Sequence, residues 1–208
     1  MKVHSVAVMK KDNPPIRHRR DTRTAIVESA LRLFAASGVG DTTVPDIACA
    51  AKTAVGTLYC HFPSKEALAN FLVCDCSQAL CKYLWDGFPT DASFRHQFGF
   101  FWRRYISFAL ERRDAYTFLQ HRASDLALDE SSQKALATLK ETENWVLDRG
   151  RATGELAHLP TAALSAIVHG TAKALIHAHF LGNLELDEIL VSQTENLCWI
   201  AVGKESGG

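Results

Sequence analysis

Gly56, Thr57, Tyr59, His61 and Lys65 fall within one short stretch, and their side chains suit contact with a nucleic acid. A phenol, an imidazole and an ammonium can donate to phosphate oxygens, while a threonine can offer a hydroxyl or a methyl to a base pair. Glycine is out of place in a helix, where it costs about 1 kcal/mol relative to alanine. On a helix that must lie close to base edges it has a use, because it carries no side chain to hold the backbone away. The rest of the chain offers little catalytic chemistry. It has no nucleophile elbow, no HExxH, no phosphate loop and no pair of carboxylates in a suitable setting. A helical enzyme using a C-terminal pocket stays as an alternative, to be tested by turnover of a candidate ligand.

The elements that must position these residues are helical. Residues 1–20 show no periodicity, contain Pro14-Pro15 and read as a disordered basic arm. From Thr22, Ile26, Ala30, Leu33 and Phe34 recur on one helical face, and Gly38 with Gly40 ends the helix. Thr43 can cap a second helix, with Pro45 in its first turn and Asp46 at capping-box spacing. A third helix is expected over 54–62, ending at Pro63, with Leu58 and Phe62 facing the core. Ser64 caps the next helix. Three short helices, the last two joined by a four-residue link, make a helix-turn-helix arrangement over residues 21–66. The plainer reading is that Leu58, Tyr59 and Phe62 are core residues and Thr57 a surface one.

Charge agrees with an anionic partner at this end. Net charge is zero, but residues 1–70 hold ten basic and six acidic side chains, and 71–208 hold thirteen and seventeen. Seven basic and two acidic residues fall within 1–23. A basic segment on an acidic body favours a nucleic acid, and a merely solvated tail is the other reading.

The stretch "TAIVESALRLFAASGVGDTTVPDIACAAKTAVGTLYCHFPSKEAL" resembles the DNA-binding domain of the TetR family of bacterial transcriptional regulators. Ala30, Phe34, Gly38, Thr43, Ile47, Ala48, Gly56, Thr57, Leu58, Tyr59, Phe62, Lys65 and Glu66 match at fixed spacing. The resemblance implies a homodimer that binds a palindromic double-stranded DNA operator as a repressor. A small molecule entering the C-terminal domain would release it. Carried over by position, Thr43, Tyr59, His61 and Lys65 would contact phosphates, and Val55, Gly56 and Thr57 would face base edges. The match departs at Lys52, where the family's turn has glycine, at Ala54, where serine is common and Thr53 is the substitute cap, and at Cys60. Lysine in a left-handed turn costs on the order of 1 kcal/mol.

Residues 67–208 read as helices throughout, at about 65–85, 93–112, a shorter helix to 122, 131–151, 161–180 and 186–202. The fold class is therefore all-α, with a helical ligand-binding and dimerisation domain behind the helix-turn-helix. The helix of 93–112 carries more rings than one stripe needs. Phe98, Phe101, Trp102 and Tyr105, with Tyr116 or Phe118 and Trp145 from elsewhere, form a packed core or line an apolar pocket for a hydrophobic effector. Arg103 and Arg104 are expected at solvent. In the helix of 161–180 one stripe is small, with Ala163, Ala166, Gly170 and Ala174. A helix that buries two faces needs two partners. A second subunit, with Leu197 and Ile200 of the last helix, makes a four-helix dimer interface, and a central helix of a monomer is the other reading.

Cys74 and Cys76 point ~200° apart on a helix, a poor zinc pair, and with Cys81 they read as buried, inert thiols. No metal or cofactor is expected. A thiol- or metal-sensing regulator on the same scaffold stays as an alternative, with Cys60 beside His61 its candidate sensor. No apolar run reaches the ~18 residues of a membrane span. The N-terminal lysines have no apolar segment behind them, and six cysteines without a secretory signal point to a reducing cytoplasm.

Overall fold

The computed structural model describes residues 16–121 and 127–204. Among the described residues there are nine helices and no strand, only an isolated bridge between Leu156 and Gly203. The helices are α1 (Ile16–Asp41), α2 (Val44–Ala50), α3 (Val55–His61), α4 (Lys65–Trp85), α5 (Phe94–Glu111), α6 (Arg113–His121), α7 (Glu130–Ala152), α8 (Thr161–Phe180) and α9 (Glu188–Val202).

The caps lie where side chains can supply them. Thr43 and Asp46 form the expected capping box, with the Thr43 hydroxyl accepting from the Asp46 N–H and the Asp46 carboxylate from the Thr43 N–H. Ser64, Asp129 and Asp187 accept from the first turns of α4, α7 and α9. Two boundaries differ from expectation. Residues 1–15 of the expected arm lie outside the described residues, and the backbone of 16–20 is already helix. After Pro15 no breaker occurs before Gly38, and arginine is a good helix former. At Gly38, φ of 82° breaks the helical path, and 39–41 form an offset last turn.

Helices α1–α3 close on Ile26, Ala30, Phe34, Ile47, Leu58 and Phe62, all buried. Helix α4 runs unbroken from this small unit into the body, where it packs along α7 and against α5. The expected division after residue 66 thus falls inside a helix. A second joint is α1 on α6, where Phe34 and Phe118 stack at 6.1 Å between ring centres.

Arg103 is exposed as expected but ion-paired, whereas Arg104 is half-buried, contrary to expectation. Glu195 on α9 is buried, and it draws Arg95 at 2.6 Å and Arg103 onto its two oxygens. Gly99 of α5 makes room for that carboxylate, since a Cβ there would lie 2.3 Å from Glu195 Oε1. Arg104 stacks on Tyr83 at 3.7 Å and donates to the Tyr83 carbonyl.

Candidate nucleic-acid interface

Helix α3 is held by one face and offers the other. Leu58 is buried, and Phe62 packs on Phe71 at 5.5 Å beneath the Arg23 guanidinium. Opposite them Val55, Gly56, Tyr59 and Cys60 are exposed, Tyr59 by 49 %. Positions four apart share a helical face, so Val55 sits above Tyr59 and Gly56 above Cys60. Thr57 and His61 are half-buried on the flank. Nothing lies within 4 Å of a Cβ built at Gly56. The protein's own packing therefore gives no reason for glycine there.

Two expected phosphate donors are engaged elsewhere. The Lys65 ammonium donates to the carbonyls of Val39 at 2.7 Å, Thr42 at 2.9 Å and Gly40 at 3.2 Å. All three of its protons are thereby used, and Lys65 caps the frayed end of α1, tying it to α4. Its spacing in the motif carries no sign of this, because those carbonyls come close only when the chain turns at Gly38. The Thr43 hydroxyl likewise gives its single proton to Asp46 Oδ2 at 2.5 Å. In the chain without DNA both side chains thus hold helix ends. Thr53 does not cap α3 either; Ala54 holds the N-cap position with no side-chain bond.

The turn before α3 adds a residue that sequence reasoning valued only as an anomaly. Lys52 has φ 52°, the left-handed conformation expected of the family's glycine, and its side chain is exposed. Cys60 also proves more central than expected, on the outward face beneath Gly56, as its spacing of four could have indicated.

In the body, the expected aromatic pocket is largely filled. The cavity bounded by Phe98, Phe101, Trp102 and Tyr105 has a volume of only about 20 Å³. Trp145 does not line it but packs with Trp85, Phe88 and Phe101, at 4.8, 5.4 and 6.3 Å. Tyr116 lies edge-on to Tyr105 at 6.0 Å. Burial raises both phenols, Tyr116 to about 12. Burial also pushes the His169 imidazole down to about 4, where it bonds Ser165 at 3.0 Å beside the Tyr105 ring. Larger openings lie outside the ring cluster. One, about 550 Å³, sits between α1, α6 and α8 and includes Tyr116. Another, about 810 Å³, lies along α7 and α8.

The small stripe of α8 stays at the surface of the single chain. Ala166, Gly170 and Ala174 are exposed and Ala163 is half-buried. On α9, Ile189, Leu197 and Ile200 are 68, 65 and 74 % exposed. Of the cysteines, Cys76 is buried, and burial pushes its thiol up to about 12; Cys74 and Cys81 are half-buried rather than buried. No cluster of three or more metal-ligating side chains occurs among the described residues, and none of the described helices is long and apolar enough to cross a membrane.

Comparison with known proteins covers both parts of the chain. Residues 26–71 match the model of bacterial regulatory proteins of the tetR family, and 73–204 match that of the tetracyclin repressor-like C-terminal domain. An uncharacterised HTH-type transcriptional regulator of Bacillus subtilis is 45 % identical over 49 residues, 24 % of this chain and 17 % of its own length. A probable acrEF/envCD operon repressor of Escherichia coli is 45 % identical over 49 residues, 24 % of this chain and 22 % of its own. The alignment thus spans only about a fifth of the length of these curated relatives. A TetR family transcription regulator from Marinobacter aquaeolei has the same fold, with TM-score 0.79 and 22 % identity over 91 % of this chain and 99 % of its own. A ketosteroid transcriptional regulator of Mycobacterium tuberculosis superposes with TM-score 0.73 at 21 % identity, over 88 % and 95 %.

Proposed function

Because the chain belongs to the TetR family of bacterial regulatory proteins, we propose that it is a ligand-responsive repressor. It binds a palindromic operator as a dimer and leaves it when a small, mainly apolar molecule binds the C-terminal domain. The observation that carries the reading is Gly56, exposed in the first turn of α3 with no neighbour to exclude a side chain. Its cost to the helix is offset by close approach to DNA. Tyr59 and His61 then hold phosphates, and Val55 and Thr57 meet base edges.

The exposed residues of α8 and α9 support the dimer, since the large uncovered side chains Ile189, Leu197 and Ile200 of α9 beside the uncovered small stripe of α8 mark an interaction face. A two-fold axis there presents two copies of α3 to successive major grooves, ~34–36 Å apart. The Escherichia coli relative described as an operon repressor supports the sign of regulation. Selection of duplexes from a random pool tests the reading. An enriched inverted repeat is expected, and recovery of no common sequence overturns it. Ile200→Glu should leave a folded monomer that no longer selects.

A second reading, thiol control, has Cys60 in its favour, exposed on the face of α3 that meets DNA. Peroxide should then release the operator from the parent chain and not from Cys60→Ser. Release that is equal in both, or absent from both, removes this reading.

A further inference from the structure

We propose that the groove between α1, α6 and α8 is a binding site for an amphipathic organic carboxylate. The proposal rests on the ligand-responsive reading above and names the chemistry and place of the effector. The groove holds about 550 Å³, within the range of small-molecule sites.

Its rim is cationic. Arg32 from α1, Arg113 from α6 and Lys173 from α8 converge on it with one carboxylate, Asp114. None of these four makes an ion pair among the described residues. Arg113 is held in place, its guanidinium 4.4 Å over the Phe180 ring and donating to the Phe180 carbonyl. A guanidinium fixed in this way presents the fork that a carboxylate fits. Ala35 and Ala36 leave the α1 wall low, and the Tyr116 and Phe180 rings with Leu181 supply apolar surface. Leu181 is 62 % exposed at this rim. An anionic head on the rim and an apolar body across the rings satisfy both halves at once.

The position also couples to the DNA-reading unit. Arg32, Ala35 and Ala36 flank Phe34, which stacks on Phe118 to join α1 to α6. A molecule touching both helices binds with an affinity that depends on their spacing, so it biases how α1 sits on the body.

Calorimetry on the full chain, with decanoate below its micelle concentration and decanol as the uncharged control, tests the site without DNA. Decanoate is expected to bind once per chain and more tightly than decanol. Arg32→Gln and Lys173→Gln should each weaken decanoate by about fivefold and leave decanol unchanged. Ala36→Phe, which fills the groove, should abolish both, with melting of the unliganded variants confirming that they fold. No binding, equal binding of the two probes, or variants that bind decanoate as the parent does overturns the proposal. Decanoate binding in a chain that selects no DNA refutes the repressor reading and leaves the site standing.

Discussion

Gly56→Ala adds one methyl to the outward face of α3, and its two consequences run in opposite directions. Within the protein the methyl meets nothing within 4 Å, so no packing is disturbed. Alanine is favoured over glycine by ~0.8–1 kcal/mol in a helix interior, and by less near an end. Gly56 is the second residue of α3, so a gain of about 0.5–1 kcal/mol is expected. For a chain of this length that raises the melting temperature by roughly 1–4 °C. On the proposed reading, the same methyl occupies at the DNA the space of a base edge. Overpacking of a close contact costs ~1–3 kcal/mol, which is a loss of operator affinity of roughly 5- to 150-fold. Calorimetric melting and fluorescence anisotropy on one operator, at one salt concentration, measure the two effects. A variant that melts lower than the parent, or that binds its operator as tightly, refutes the reasoning.

Other substitutions separate structural from contacting donors and define a pH dependence. Lys65→Met removes three hydrogen bonds to carbonyls at the end of α1. It should destabilise by about 1.5–3 kcal/mol in denaturant titration while leaving the salt slope of DNA binding unchanged. Tyr59→Phe should do the converse, weakening binding to all duplexes with little change in stability. Lys52→Gly relieves a left-handed lysine and should stabilise by about 1 kcal/mol. His169 is held down to about 4 from an ordinary value of 6.5. As pH falls, the unfolded chain takes up that proton first. The contribution is therefore full above about 6.5 and lost toward about 4. His169→Gln should remove about 1–3 kcal/mol of the parent's acid sensitivity, read from unfolding at several pH values across that window.

The DNA-reading unit was legible because local chemistry specifies it. Thr43 with Asp46, Pro63 with Ser64 and the apolar spacing of Ile26, Ala30 and Phe34 each mark a helix end or a buried face using residues a few positions apart. Roles that depend on distant neighbours were not legible. Lys65 finds its acceptors about 25 residues upstream, and Arg103 finds Glu195 on another helix. Glu195, the one carboxylate of α9 beyond its first turn and set among apolar residues, was a signal that some cation must be drawn in. The rings of α5 were the hardest case. Whether Phe101 lines a cavity or fills one depends on Trp85, Phe88 and Trp145, brought against it from α4, the turn after it and α7.

The central claim is that two copies of α3 read DNA from one face of a dimer. A hydroxyl-radical footprint of the parent chain on its selected duplex tests it most directly. The account predicts two protected patches related by two-fold symmetry, on one face and about one helical turn apart. A single patch, or protection without symmetry, would contradict it.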